Sequence, residues 1–150
     1  YKPHKNHNST VLGSVQWDWL KNQVTQEHDI LILASSIQVL ATEHRFEKWA
    51  NFPHERESLL KLLNTLDSNI LIISGDRHRA GFYRKDNIYE FTSSSINKGI
   101  FPYYETDALL IGDTYTQNNY GIIEFYEDSL QLFIKSENMT VLESLEIPLK

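Results

Sequence analysis

Two short runs, "DILILASS" from residue 29 and "NILIISGD" from residue 69, are apolar at consecutive positions. That pattern suits strands covered on both faces rather than strands with one face in water. Between them Pro53 fits a first helical residue, and Glu55 and Glu57 fall in the turn where the helix dipole favours acids. Leu59, Leu62, Leu63 and Leu66 then form the apolar stripe of that helix. Strand, helix and strand over about 45 residues match the length of a right-handed, parallel crossover unit. Upstream, Ser14 is placed to cap a helix reaching Gln26, with Trp17, Leu20 and Val24 on one face. The opening "YKPHKNHNST" is polar and without period, a loop or a severed connection.

The second half changes character. "NIYEFTSSS", "NYGIIEFYE", "SLQLFIKS" and "TVLESLEIPL" read as successive strands, with Glu127-Asp128 as a hairpin turn. Between the first two lies "INKGIFPYYETDALLIGDTYTQN", which has no clear period; loops of that length are functional or poorly ordered. The expected architecture is a mixed α/β layered domain, with helices early and antiparallel strands late.

Composition narrows the function classes. The chain has 150 residues, 41% hydrophobic and 23% charged, which is globular and enough for a core. A net charge of −6 with no basic stripe argues against binding nucleic acid through its phosphates. The absence of cysteine excludes disulfides and thiolate metal sites, so any metal must be held by His, Asp, Glu, Asn or Tyr. No apolar run approaches the roughly 18 to 20 residues that span a bilayer, and no signal peptide is visible. The chain opens on Tyr1 rather than Met, which leaves a processed or truncated N-terminus open.

The chemistry concentrates where the second apolar run ends, in "SGDRHR". In a chain still extended there, residues i and i+2 point to the same side, so Asp76 and His78 would converge beyond the strand's carboxyl end. A carboxylate and an imidazole suit a hard or borderline cation, or an acid/base pair. Gly75 would permit a sharp turn or a close ligand approach, and Arg77 and Arg79 could face an anion bidentately. The plainer alternative is that Asp76 makes a turn bond, His78 is a surface residue and the arginines are solvated.

Here the sequence resembles a known family. "VLGSVQWDWL", "SSIQVLATEHRFEKWANFPHERESLL" and "SGDRH", in that order and spacing, are similar to motifs of the PhoD-like alkaline phosphatases of the metallophosphoesterase superfamily. "IYEFTSSS" and "NNYGIIEF" extend the resemblance over nearly the whole chain. The resemblance implies a four-layer α/β/β/α sandwich and metal-dependent hydrolysis of phosphate mono- or diesters, in an extracytoplasmic (secreted or periplasmic) setting. It makes Asp76 and His78 metal ligands and catalytic residues. Arg77 and Trp49 become candidates for substrate binding. It implies a multinuclear cluster of iron and calcium, with zinc or manganese as the alternatives used elsewhere in the superfamily.

The resemblance also implies a gap. The family's Asp-rich and Asn- or His-bearing loops lie upstream, so residues 1–150 read as the C-terminal portion of a single domain whose N-terminal half is missing. Where relatives carry a ligand His after the first strand, this chain has Ser35-Ser36-Ile37-Gln38. Ser36 or Gln38 could hold a water or a phosphate oxygen, or serve structural hydrogen bonds. His44, Glu47 and Trp49 match a segment near the family's site, with Trp49 either a pocket wall or core. Arg56 suits a surface ion pair beside His54. His4, His7 and His28 read as solvated, and Trp17 and Trp19 as packing residues. Asn8-Ser9-Thr10 and Asn138-Met139-Thr140 fit a glycosylation pattern that matters only in a eukaryotic secretory setting. Two further readings stay open: a non-catalytic remnant of the fold serving as an interaction module, and a β-rich ligand-binding domain in which "SGDRH" is incidental.

Overall fold

The computed structural model describes residues 2–149 apart from 5, 7, 8 and 101; His7 and Asn8, named above, lie outside the described residues. The order is α1 (Gly13–Val24), β1 (Ile30–Ser35), a single 3-10 turn (Trp49–Asn51), α2 (Pro53–Leu63) and β2 (Asn69–Ser74). Six strands follow: β3 (Ala80–Lys85), β4 (Ile88–Ser93), β5 (Leu110–Tyr115), β6 (Asn119–Phe125), β7 (Ser129–Ser136) and β8 (Val141–Pro148).

The crossover unit forms as its pattern predicts. β1 and β2 are parallel neighbours, registered from Ile30 opposite Asn69 to Ser35 opposite Ser74. Pro53 opens α2, and Leu59 and Leu63 are fully buried; Leu60 joins them, while Leu62 and Leu66 are half-buried. The second half departs from the expectation of antiparallel strands throughout. β4 adds to β2 in parallel, and β3 and β5 then pair antiparallel beyond it, giving the order β1-β2-β4-β3-β5. β3 escapes the sequence pattern because Arg84 and Lys85 end it. β5 is interrupted by Gly112, whose φ of 67° is a left-handed conformation that glycine tolerates. β6, β7 and β8 make a separate antiparallel sheet, with the expected hairpin at Glu127-Asp128 closed by the Tyr126 amide donating to the Ser129 carbonyl at 2.9 Å.

Alternation along β2 welds the layers. Ile70 and Ile72 face the helices with Leu20, Val24, Leu59 and Leu63, whereas Leu71 faces the second sheet with Phe82, Phe91, Leu130, Leu132 and Ile134. The first sheet is therefore covered on both faces, by helices and by a sheet. This chain builds three of the four layers that the resemblance implies. Gly121 of β6 sits where a Cβ would fall 2.6 Å from the Phe91 ring, so only glycine allows this approach of the two sheets. β1 is the exception to double coverage: it ends its sheet, and Ile32 is 39% exposed.

Capping of α1 also differs from the sequence expectation. Ser14 lies inside the helix, and the preceding turn is organised by Glu55 of α2. That carboxylate accepts hydrogen bonds from the Thr10 hydroxyl at 2.6 Å, the Leu12 amide at 3.1 Å, the Trp17 indole at 2.5 Å and the Val11 amide. Burial pushes the Glu55 carboxyl up, but these bonds outweigh it and the net shift is downward. Trp17 is thus tied down, while Trp19 is 56% exposed rather than packed.

Leu63→Ala tests the packing directly. Truncating a leucine that is fully buried between α2 and the sheet should lower the unfolding free energy by about 2–5 kcal/mol in urea denaturation. A near-neutral result would mean that this face of α2 does not carry the core.

Candidate active site at the end of the parallel strands

β2 delivers its last residue, Ser74, to the carboxyl edge of the parallel strands, where its hydroxyl lies 2.8 Å from that of Thr92 on β4. The chain then turns through residues 75–79 into β3. It is not extended there, because Asp76 and His78 take φ values of 66° and 50°. The strained positions are therefore these two residues and not Gly75, where an added Cβ would make only ordinary contacts of 3.7 and 3.8 Å. Even so the turn alternates: Asp76 and His78 are exposed, and Arg77 and Arg79 are buried.

The buried side is an ion-pair cluster. Arg77, 3% exposed, donates from Nη2 to both oxygens of Glu105 at 2.8 and 2.7 Å, and from Nε to Gln38 Oε1 at 3.0 Å. Arg79, fully buried, pairs through Nη1 with the same Glu105 carboxylate and donates to the Thr114 hydroxyl at 2.9 Å. Ser94 bridges the turn, its hydroxyl accepting from the Arg77 amide and donating to the Arg79 carbonyl, both at 3.1 Å. Arg77, expected to face an anionic substrate, instead turns inward because Glu105 meets it there.

Gln38 and Glu90 extend this polar layer. Gln38, wholly buried, donates to Thr92 Oγ1 at 2.9 Å while accepting from Arg77. Glu90 accepts from the amides of Val39 and Leu40 at 2.9 and 2.5 Å. Burial raises its carboxyl against these bonds and one from Ser74. Arg56 donates to the carbonyls of Val39 and Leu40 at 2.6 and 2.8 Å, so it fastens a loop rather than forming a surface pair.

On the exposed side, His78 Nδ1 lies 3.1 Å from the Lys98 carbonyl. A carbonyl only accepts, so Nδ1 carries the hydrogen and the neutral ring keeps its lone pair on Nε2. Imidazoles that bind metals are commonly oriented in this way by a backbone acceptor. Asp76 is one residue from the inward-turned Arg77. Among the described residues, no three His, Asp or Glu side chains group closely enough to hold an ion. A cleft of about 550 Å³ adjoins the turn between the two sheets, lined by Ser35, Ser36, Ser74, Gly75, Phe91 and Ser93 among others.

The other sequence candidates fall elsewhere. Trp49 is 3% exposed in the helix-side core, and its indole donates to Ser35 Oγ at 3.1 Å. His4 stacks on Phe52 with centroids 4.5 Å apart, and His28 Nε2 lies 3.2 Å from the Gln23 carbonyl. His44 is buried and accepts from the Phe46 amide at Nδ1 at 3.2 Å. Sequence reading missed Glu105 altogether. Its one signal was the length of the aperiodic stretch that contains it.

Two predictions follow from the buried charges. Glu105→Ala leaves two guanidiniums buried without their carboxylate and should cost about 3–5 kcal/mol in unfolding free energy, read by denaturant titration. His44 is held neutral down to about 3 from an ordinary 6.5, first by burial and then by the charges of Arg77 and Lys48. The unfolded ring protonates near 6.5, so the stability contributed by neutral His44 is complete above that pH and is lost as pH falls toward about 3. His44→Gln should flatten the stability curve across that window, and an unchanged slope would exclude a neutral buried imidazole.

No curated protein matches the chain. The fold is similar to a solved structure of PhoD, with a TM-score of 0.76 and 18% identity over 98% of this chain and 34% of that one. It is equally similar to GAP50, the anchor in the inner membrane complex of Plasmodium, with a TM-score of 0.76 and 14% identity over 91% of this chain and 42% of that one. At such identities the likeness is one of fold, and the chain spans less than half of either protein. The profile of the PhoD-like phosphatases matches residues 1–141, nearly the whole sequence, and the chain belongs to that family.

Proposed function

We propose that this chain takes part in metal-dependent hydrolysis of phosphate mono- or diesters and carries one portion of the metal site. The observation that carries the reading is the orientation of His78, with Nδ1 donated to Lys98 and Nε2 free to ligate, beside Asp76 at the end of a parallel strand. Asp76 and His78 would hold the metal together with ligands from outside residues 1–150. Their carboxylate and imidazole suit iron, calcium, zinc or manganese. When bound, the metal acidifies a water and neutralises charge on the phosphoryl group. The chain's own residues orient the donors: Ser94 and the Arg77–Glu105–Arg79 cluster hold the turn so that its two ligands face outward. The cluster also leaves one positive charge in excess behind the turn, two guanidiniums against one carboxylate, which favours an anion in front of it.

We read the chain as the C-terminal portion of a larger catalytic domain. The exposed edge at β1, with Ile32 uncovered, supports this, as does the fraction of the related structures that the chain spans. A second reading, a non-catalytic module of the same fold, draws support from the equal likeness to GAP50, which is described as an anchor.

Turnover of a chromogenic phosphate ester by metal-loaded protein separates these readings. The chain alone should be nearly inactive, and activity should appear when a family-type N-terminal half is added. In that assembly Asp76→Asn and His78→Ala should each lower bound metal, measured by elemental analysis, and turnover in parallel. Absence of chelator-sensitive activity in the assembly would favour the non-catalytic module, and unchanged metal content in both variants would remove the two residues from the site.

A further inference from the structure

The chain leaving β4 has little burial to place it. Residues 96–98 are exposed, and Ile96 stands 79% in water. A segment with so few apolar contacts takes its path from polar ones. Residues 95–100 form a strap laced to the connection between β5 and β6. The Asn119 amide donates to the Ser95 carbonyl at 2.9 Å, the Gly99 amide to Asn118 Oδ1 at 3.0 Å and the Ile100 amide to the Thr116 carbonyl at 3.1 Å. At the crest of the strap the Lys98 carbonyl meets His78, whose Nδ1 lies 3.1 Å away.

Two residues make the lacing specific. A Cβ added at Gly99 would collide with the Thr116 carbonyl oxygen, a backbone atom that cannot turn aside as a flexible side chain would. Any other residue there would push the strap away. Asn118 is oriented from its far end, because its Nδ2 donates to Glu137 Oε2 at 3.0 Å. A carboxylate only accepts, so the amide oxygen of Asn118 is left to face the Gly99 amide.

The strap decides where the His78 ring carries its hydrogen. In water a neutral histidine ring favours Nε2, and the partner that meets the other nitrogen can reverse this. His44 has the common form, with Nδ1 accepting from the Phe46 amide. His78 has the opposite form, because a carbonyl faces its Nδ1. Were that carbonyl withdrawn, Nε2 would take the hydrogen and become a donor, which cannot ligate a cation.

We propose that Gly99 and Asn118 are positioning residues for His78, holding the Lys98 carbonyl on Nδ1 so that Nε2 is the nitrogen left to ligate. Their role rests on the phosphoesterase reading only for what His78 binds, since the tautomer belongs to the chain alone. Both act through a backbone carbonyl, so the Lys98 side chain has no part in it.

Long-range 1H–15N correlation of the neutral histidine rings in the full chain reads the tautomer directly, with the His78 signal assigned by its loss in His78→Ala. The ring should be Nδ1–H in the unaltered chain and in Lys98→Ala. Gly99→Ala and Asn118→Ala should each shift it towards Nε2–H, and Asn118→Asp, which keeps an acceptor for the Gly99 amide, should restore Nδ1–H. His44 should stay Nε2–H throughout, as a marker of the intact fold. In the assembly with a family-type N-terminal half, Asn118→Ala should weaken metal binding about 10-fold, as loss of an outer partner of a ligating imidazole commonly does. An Nδ1–H ring persisting in both Gly99→Ala and Asn118→Ala, or undiminished metal affinity in Asn118→Ala, would overturn the role of the two residues and leave the phosphoesterase reading standing. Nε2–H in the unaltered chain would overturn both, because it removes the His78 orientation on which both stand.

Discussion

The single carboxylate of Glu105, shared by Arg77 and Arg79, is the interaction on which the site depends. Two guanidiniums taken out of water are tolerable only if a charge and hydrogen bonds meet them. Glu105 supplies the charge, while Gln38 and Thr114 supply neutral acceptors. The consequence is geometric. Because residues 77 and 79 must turn inward to reach one carboxylate, residues 76 and 78 are left outward, in left-handed backbone conformations that an isolated turn would avoid. The strain at Asp76 and His78 is thus sustained by buried electrostatics behind them.

That clamp also organises the long segment between β4 and β5. Glu105 ties its far end to the arginines, the Lys98 carbonyl meets His78, and the Gly99 amide donates to Asn118 at 3.0 Å. A stretch with no periodicity is therefore held by polar contacts at several points rather than by an apolar face. Tyr103 of this segment lies against both arginines, 4.2 Å from the Arg79 guanidinium at its ring centroid and 3.4 Å from Arg77 Nη2 at its hydroxyl.

Beneath the polar layer, the central sheet carries the packing. Its strands alternate side chains between the helical layer and the second sheet, so β2 serves two cores at once. Gln38 and Glu90 lie where that packing meets the site: both are buried, Gln38 bonding Thr92 of β4 and Arg77 of the turn, and Glu90 the chain leaving β1. The serines at the strand ends line the open cleft in front of them.

The sequence by itself determined what depends on short-range pattern. Consecutive apolar residues specified β1 and β2, Pro53 and the leucine stripe specified α2, and alternation with a turn specified β6, β7 and β8. The motif "SGDRH", with its neighbours, carried the family and the two candidate ligands. Tertiary structure alone decided what depends on partners distant in the chain. Nothing local to Glu105 marks it as the counter-charge of residues 26 and 28 positions earlier. Nothing near Arg56 or Glu55 announces that they fasten loops to which they are not adjacent. β3 and β5 were hidden because charged residues and a left-handed glycine break their alternation, and neighbouring strands override that local weakness. The side on which Arg77 lies was likewise beyond the sequence, since a guanidinium suits solvent, substrate or a buried carboxylate equally well until the fold supplies one of them.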